Sequence, residues 1–224
     1  MNAPMIAPVS IHHALACDNL SLNRCAVGVP DSEELHRMVR EVTWSRPAGI
    51  AGSLRQGSFN RALLRLAQEM APAGMTIDNF DIAPIEPYNE DVRQQGFPKP
   101  VEDLRARIKA ADGLLIVTPE YNYSIPGVLK NAIDWASRPP EQPFDGKPIG
   151  IMGGSAGVLG GARAQYHLRQ CFVFMNGLVM NRPEVMIPAA QTKFDGNGRI
   201  ADQATLDFIN AHLAAFKAWV LRMR

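Results

Sequence analysis

The sequence predicts an α/β fold, a doubly wound parallel sheet with helices on both faces. Three observations predict it. Short apolar runs without strict polar alternation recur from Val42 onward, segments with helical spacing alternate with them, and glycine-rich stretches lie between a run and the helix that follows. Strands buried on both faces read as continuous apolar runs. Strands alternating with helices imply parallel pairing through crossover connections.

The apolar runs occupy residues 42–51, 75–80, 113–118, 148–152 and 178–180. The last four are rich in Val, Ile, Leu and Met. The first departs from this, because Pro47 removes a ladder donor. Helical patterns occupy residues 60–70, 101–111, 127–136, 162–174 and 204–223. In the first of these Leu63, Leu66, Ala67 and Met70 fall on one helical face, and Leu104, Ile108 and Ala111 do the same in the second. Five strands and five helices fit the flavodoxin-like strand order, 2-1-3-4-5.

The chain has 224 residues, of which 46% are hydrophobic, enough for one domain of moderate size with a sizeable core. A formal net charge of +1 supplies no bulk attraction to nucleic acid or to an anionic membrane. No apolar run approaches the roughly 18 residues of a spanning helix. Cys17, Cys25 and Cys171 are an odd set in a long chain, which speaks against a disulfide scaffold and fits a reducing cytoplasm. His12 and His13 stand near two of these cysteines, but their spacing matches no zinc pattern.

Residues 1–41 read as an N-terminal extension, poorly ordered or lying on the surface, and residues 42–224 as the domain. The extension lacks the basic start and continuous apolar core of a signal peptide. Its end, residues 31–42, reads as a short helix capped by Asp31 or Ser32.

In a doubly wound sheet ligands sit beyond the carboxyl ends of the strands, beside the point where strand order reverses. The loop after the first run, "GSLRQGSFN", gathers Ser53, Arg55, Ser58 and Asn60 at a helix start. A helix N-terminus offers free N–H groups and about half a positive charge, so this loop has what a phosphate monoester needs. It also reads as an ordinary capped turn, with Ser58 as the cap and Arg55 in solvent. The loop after the third run, "TPEYNYSIPG", carries Pro119, Glu120, Tyr121, Asn122, Tyr123 and Ser124. Tyrosines and stiff backbone suit a planar heteroaromatic ligand, though surface tyrosines on a long connection read the same way.

The loop after the fourth run has five glycines between Gly153 and Gly161. Gly153, Ser155 and Gly157 match the G-x-S-x-G nucleophile elbow, and Asp195 and His212 follow in α/β-hydrolase order. A serine hydrolase is therefore a rival reading. Against it, no HGGG-like stretch supplies a second oxyanion donor, and the first two loops go unexplained. A Walker A phosphate loop and a G-x-G-x-x-G fingerprint are both absent. His167, within "AQYHLRQCF", reads as a packed or interface residue.

With "GSLRQGSFNRALL", "GLLIVTPEYNYSIPGVLKNAIDWASR", "GKPIGIMGGSAGVLGGARAQYHLRQ" and "VMNRPEVM" in view, the chain resembles the NADPH-dependent FMN reductase family, closest to its quinone and chromate reductases. The resemblance runs from about Gly49 to the C-terminus. It implies bound FMN, NADPH or NADH as electron donor, and a quinone, chromate or azo compound as acceptor. It also implies a cytoplasmic homodimer or homotetramer. By position, Ser53, Leu54, Arg55, Gln56, Gly57, Ser58, Phe59 and Asn60 would surround the FMN phosphate. Pro119, Glu120, Tyr121, Asn122 and Tyr123 would border the isoalloxazine ring, largely through backbone, and Ser155 would close the site. The chemistry would be the cofactor's, by ping-pong exchange through one pocket, so no dedicated acid or base is expected. A flavodoxin-like electron carrier without a pyridine-nucleotide site stays open as a further reading.

Overall fold

The computed structural model of the chain describes residues 31–34 and 44–223. The chain forms two units, Met1–Met38 and Val39–Arg224. In the first, residues 32–34 are helical and the Asp31 carboxylate accepts the Glu34 N–H at 2.7 Å. The remaining features read from the extension, including His12, His13, Cys17 and Cys25, lie outside the described residues.

The second unit carries strands β1 (Ala48–Ala51), β2 (Asp78–Phe80), β3 (Leu114–Val117), β4 (Pro148–Gly154), β5 (Leu178–Val179) and β6 (Val185–Ile187). Its helices are α1 (Phe59–Glu69), α2 (Glu90–Gln94), α3 (Lys99–Ala110), α4 (Gly127–Ala136), α5 (Ala162–Phe174), α6 (Ala190–Lys193) and α7 (Gln203–Arg222). The strands pair in the order β2-β1-β3-β4-β5, with β6 also on β4, and every pairing between named strands is parallel. The expected 2-1-3-4-5 arrangement is present, with one strand more than the sequence reading gave.

Both departures have local causes. Among the described residues of the expected 42–51 run, the strand is confined to Ala48–Ala51, because Pro47 brings no N–H to the ladder. Its carbonyl still accepts the Asp78 N–H at 3.0 Å, and Ser45 bridges to Met75. The extra strand arises because the sheet edge is broken. β4 holds β5 at Pro148 and Ile149 and β6 at Met152 to Gly154, so β5 and β6 are successive lengths of one interrupted edge. Three residues between Pro183 and Pro188 are too few to show a period. The five-residue α2, capped by Asn89, escapes notice for the same reason.

Alternation along the central strands builds two core layers. Leu114 and Ile116 of β3 face Val101, Leu104 and Ile108 of α3 and Leu129 and Ile133 of α4. Leu115 and Val117 face Leu63, Leu64 and Ala67 of α1 and Ile209, Leu213 and Phe216 of α7. Each of these large side chains contributes roughly 1.5–3 kcal/mol on burial. Parallel strands present all their carboxyl ends on one edge, and strand order reverses between β1 and β3. The loops leaving β1, β3 and β4 therefore meet there.

Candidate active site at the reversal of strand order

The first loop leaves β1 with Ser53 and Ser58 buried, while Leu54, Arg55, Gln56 and Gly57 are exposed. Ser58 is the N-cap of α1, its hydroxyl oxygen accepting the N–H groups of Asn60 and Arg61 at 3.2 and 3.3 Å. That leaves the hydroxyl proton of Ser58 to donate elsewhere. The backbone N–H groups of Arg55, Gln56, Gly57 and Phe59 have no acceptor among the described residues. The Arg55 guanidinium makes no ion pair with a described residue and lies 5.4 Å from the centroid of the Phe59 ring. Phe59 in turn stacks on Phe194 at 5.3 Å. Unfilled donors, a fixed cation and a helix N-terminus fit a phosphate monoester.

The second loop begins where Thr118, fully buried, donates its hydroxyl to the Pro119 carbonyl at 3.0 Å. Tyr121 and Ser124 exchange backbone bonds across a tight turn, and Asn122 and Tyr123 at its tip have φ of 48° and 67°. Left-handed backbone in two successive residues with side chains must be held in place by its surroundings. The hold comes from α5. Arg163 lies over the Tyr123 ring at 3.6 Å, and the Ser124 hydroxyl meets His167 Nδ1 at 3.0 Å. His167, read as a packed or interface residue, has this role one turn after Arg163.

The Glu120 carboxylate turns to the start of α5. Its Oε2 accepts the N–H groups of Arg163 and Ala164 at 3.0 and 3.3 Å, and its Oε1 pairs with the Arg163 guanidinium at 2.9 Å. A carboxylate here complements the positive end of α5, whose N-cap, Gly161, has φ of 93° and no side chain to offer. The Glu120 carboxylate is thus taken up by α5.

In the third loop, a Cβ on Gly153 would lie 2.1 Å from the Thr118 carbonyl oxygen, so only glycine lets β4 pass there. The Ser155 hydroxyl accepts the Gly157 N–H at 3.2 Å, and its backbone pairs with Ile187 and Ala190. The hydrolase triad does not assemble. His212 is buried in α7 with Nδ1 at 2.7 Å from the Pro183 carbonyl, and the Asp195 carboxylate accepts the N–H groups of Asn197 and Arg199. Burial also pushes the His212 imidazole below its ordinary value.

Three hydrogen bonds join the loops. The hydroxyls of Ser53 and Tyr121 are 3.2 Å apart, and the Asn60 amide meets the Gly154 peptide. Sequence reasoning missed Thr118 and Phe194. Thr118 looked like the end of an apolar run, and no spacing signal connects Phe194 to a loop so far away in the chain.

Residues 46–192 match the NADPH-dependent FMN reductase family. Over 176 residues, 79% of this chain and 95% of the relative, the sequence is 57% identical to an NAD(P)H-dependent FMN reductase of Pseudomonas aeruginosa. Over 178 residues, 78% of this chain and 95% of the relative, it is 51% identical to a quinone reductase of Escherichia coli. Among solved structures, the flavoenzyme NAD(P)H:(acceptor) oxidoreductase FerB of Paracoccus denitrificans superposes with a TM-score of 0.74 at 34% identity, covering 80% of this chain and 98% of that one. The fold, the three converging loops and these matches agree, and the chain belongs to the NADPH-dependent FMN reductase family.

Proposed function

We propose that this protein is an FMN-dependent NAD(P)H:quinone oxidoreductase. One observation carries the reading: three loops converge where strand order reverses, one with unfilled anion donors and one with tyrosines. In this reading the FMN phosphate is held at the start of α1 by the Arg55 guanidinium, the Ser53 and Ser58 hydroxyls and the free N–H groups of residues 55–57 and 59. Leu54 and Asn60 complete that loop. Pro119, Glu120, Tyr121, Asn122 and Tyr123 border the ring through backbone groups, and Ser155 with its glycine neighbours closes the other side.

FMN, when bound, supplies the redox chemistry, taking a hydride from NADPH or NADH and delivering electrons to the acceptor. The chain's own residues bind and orient. Arg163 and Glu120 keep the second loop in place, and the exposed rings of Tyr121 and Tyr123 offer flat surfaces to whatever enters. Donor and acceptor use the same opening in turn. Quinones are the acceptor class supported by the relatives, and chromate and azo compounds are candidates from the resemblance.

The catalytic domain spans residues 42–224, with residues 1–41 appended. The assembly is a homodimer or homotetramer. What supports this is the exposed apolar surface of α4 and α5, where Phe174 is 96% and Val173 79% exposed alongside Val128 and Tyr166. No described helix is long and apolar enough to cross a membrane. The compartment proposed is the reducing cytoplasm, where Cys171 remains a free thiol.

The test is optical. The purified protein should be yellow, bleach on anaerobic addition of NADPH or NADH, and regain its colour when a quinone is added. Colour that no pyridine nucleotide bleaches would identify an electron carrier instead. Failure of the colourless protein to take up added FMN would overturn the reading entirely.

A further inference from the structure

The side chain of Asn60 is 3% exposed and commits both its polar atoms to a single residue. Its Nδ2 donates to the Gly154 carbonyl and its Oδ1 accepts the Gly154 N–H, each at 2.9 Å. Residues of an antiparallel ladder exchange two bonds in this way; here, in a parallel sheet, an amide side chain does so.

The place where it occurs is informative. Val117 is the last β3 partner of β4, opposite Met152, and the Thr118 N–H donates to the Met152 carbonyl at 3.0 Å. Two residues further along β4, Gly154 directs its N–H and carbonyl to the same side, as strand periodicity requires. By then β3 has left the sheet at Thr118 and Pro119 to form the tyrosine loop. Asn60 fills the position that β3 has vacated. On the opposite side, β4 continues to pair with β6 at Gly153 and Gly154.

A buried strand end with an unpaired N–H and carbonyl would bear the full desolvation penalty of both groups. Closing it with backbone would keep β3 in the sheet and leave no tyrosine loop over the crevice. Closing it with a side chain from the start of α1 satisfies the strand while β3 departs. It also ties the anion-binding turn to the glycine loop across the crevice.

Resting on the reading of this crevice as the FMN site, we infer that Asn60 is a positioning residue. Its amide fixes the distance between the first and third loops before FMN binds, and it makes no contact with the phosphate. A phosphate ligand and a positioning residue differ in one measurable way. Losing the former weakens binding of FMN alone, whereas losing the latter weakens binding of any flavin, with or without phosphate.

The apoprotein and its Asn60→Ala and Arg55→Ala variants are titrated with FMN and with riboflavin, which lacks the phosphate, following quenching of flavin fluorescence. Asn60→Ala should weaken both flavins by the same factor, roughly tenfold, as expected for two lost hydrogen bonds partly compensated by water. Arg55→Ala should weaken FMN and leave riboflavin unchanged. A loss confined to FMN in Asn60→Ala makes Asn60 a phosphate ligand and overturns the inference. No loss with either flavin, in a variant that melts at lower temperature, makes it a folding contact only and overturns it equally. If Arg55→Ala leaves FMN binding intact, the crevice reading fails, whatever Asn60 does.

Should Asn60→Ala fail to fold, amide exchange in the wild type decides. The Gly154 N–H should be protected in the apoprotein and remain so when FMN is added. A Gly154 amide that exchanges freely without FMN, or loses protection when FMN binds, overturns the proposal.

Discussion

The hydroxyls of Ser53 and Tyr121 meet at 3.2 Å, joining the end of β1 to the loop that leaves β3. Ser53 is 4% exposed and Tyr121 48%, so one end of the contact is fixed in the core and the other stands at the crevice. A neutral hydrogen bond of this kind contributes about 0.5–1.5 kcal/mol. Tyr121→Phe should weaken FMN binding about 2–10-fold by titration calorimetry and lower the melting temperature by about 1–6 °C. Ser53→Ala should weaken it further, because this hydroxyl is also read as a phosphate contact, and the double variant should lose no more than Ser53→Ala alone. Additive losses would mean that the two hydroxyls act separately.

Arg55 is held over Phe59, which rests on Phe194, so its guanidinium is oriented without an acidic partner among the described residues. A hydrogen bond to a charged group contributes roughly 1.5–3 kcal/mol, so Arg55→Ala should weaken FMN binding ~10–100-fold. Arg55→Lys should recover only part of this, because an ammonium lacks the planar fork. Equilibrium dialysis measures both.

Gly153→Ala places a methyl group against the Thr118 carbonyl, which is backbone and buried. Overpacking of this kind costs about 1–3 kcal/mol, or roughly 2–12 °C of melting temperature in a chain of this size. A differential scan of the apoprotein tests it. An unchanged melting temperature would show that the two strand ends separate readily.

His212 should make stability depend on pH. Burial lowers its folded value below the 6.5 it has in the open chain; the Pro183 carbonyl opposes this and Arg169 adds to it. Between the two values the unfolded chain binds the extra proton, so stability rises with pH across that window. It is fully present above 6.5 and declines as pH falls toward the folded value. His212→Gln should lower stability overall, yet lose less of it than wild type as pH falls below 6.5, measured by urea unfolding. Equal losses in both proteins would assign the pH dependence to other groups.

The sheet order was legible because buried parallel strands carry their own signature: Leu114 to Val117 read as an unbroken apolar run whichever layer each residue joins. The loops were legible by type. Ser58 announced a cap, and the glycines from Gly153 onward announced close approach. What the sequence could not show was where side chains point. Glu120 and Asn60 stand in the expected loops, yet one turns its carboxylate to α5 and the other its amide to β4. Both orientations depend on partners about forty and ninety residues away, which no local propensity encodes. β6 stayed hidden because its pairing depends on β4 and not on its own three residues.

The broken edge formed by β5 and β6 has a consequence beyond the site. An exposed edge strand invites another chain to extend the sheet, and proteins avoid this by shortening or interrupting such edges. Here the outer ladder runs for two residues, stops at a segment containing Arg182 and Pro183, and resumes for three. An incoming strand would find no continuous row of donors and acceptors. The same interruption that hid a strand from sequence reading therefore makes this edge a poor template for a strand from another copy.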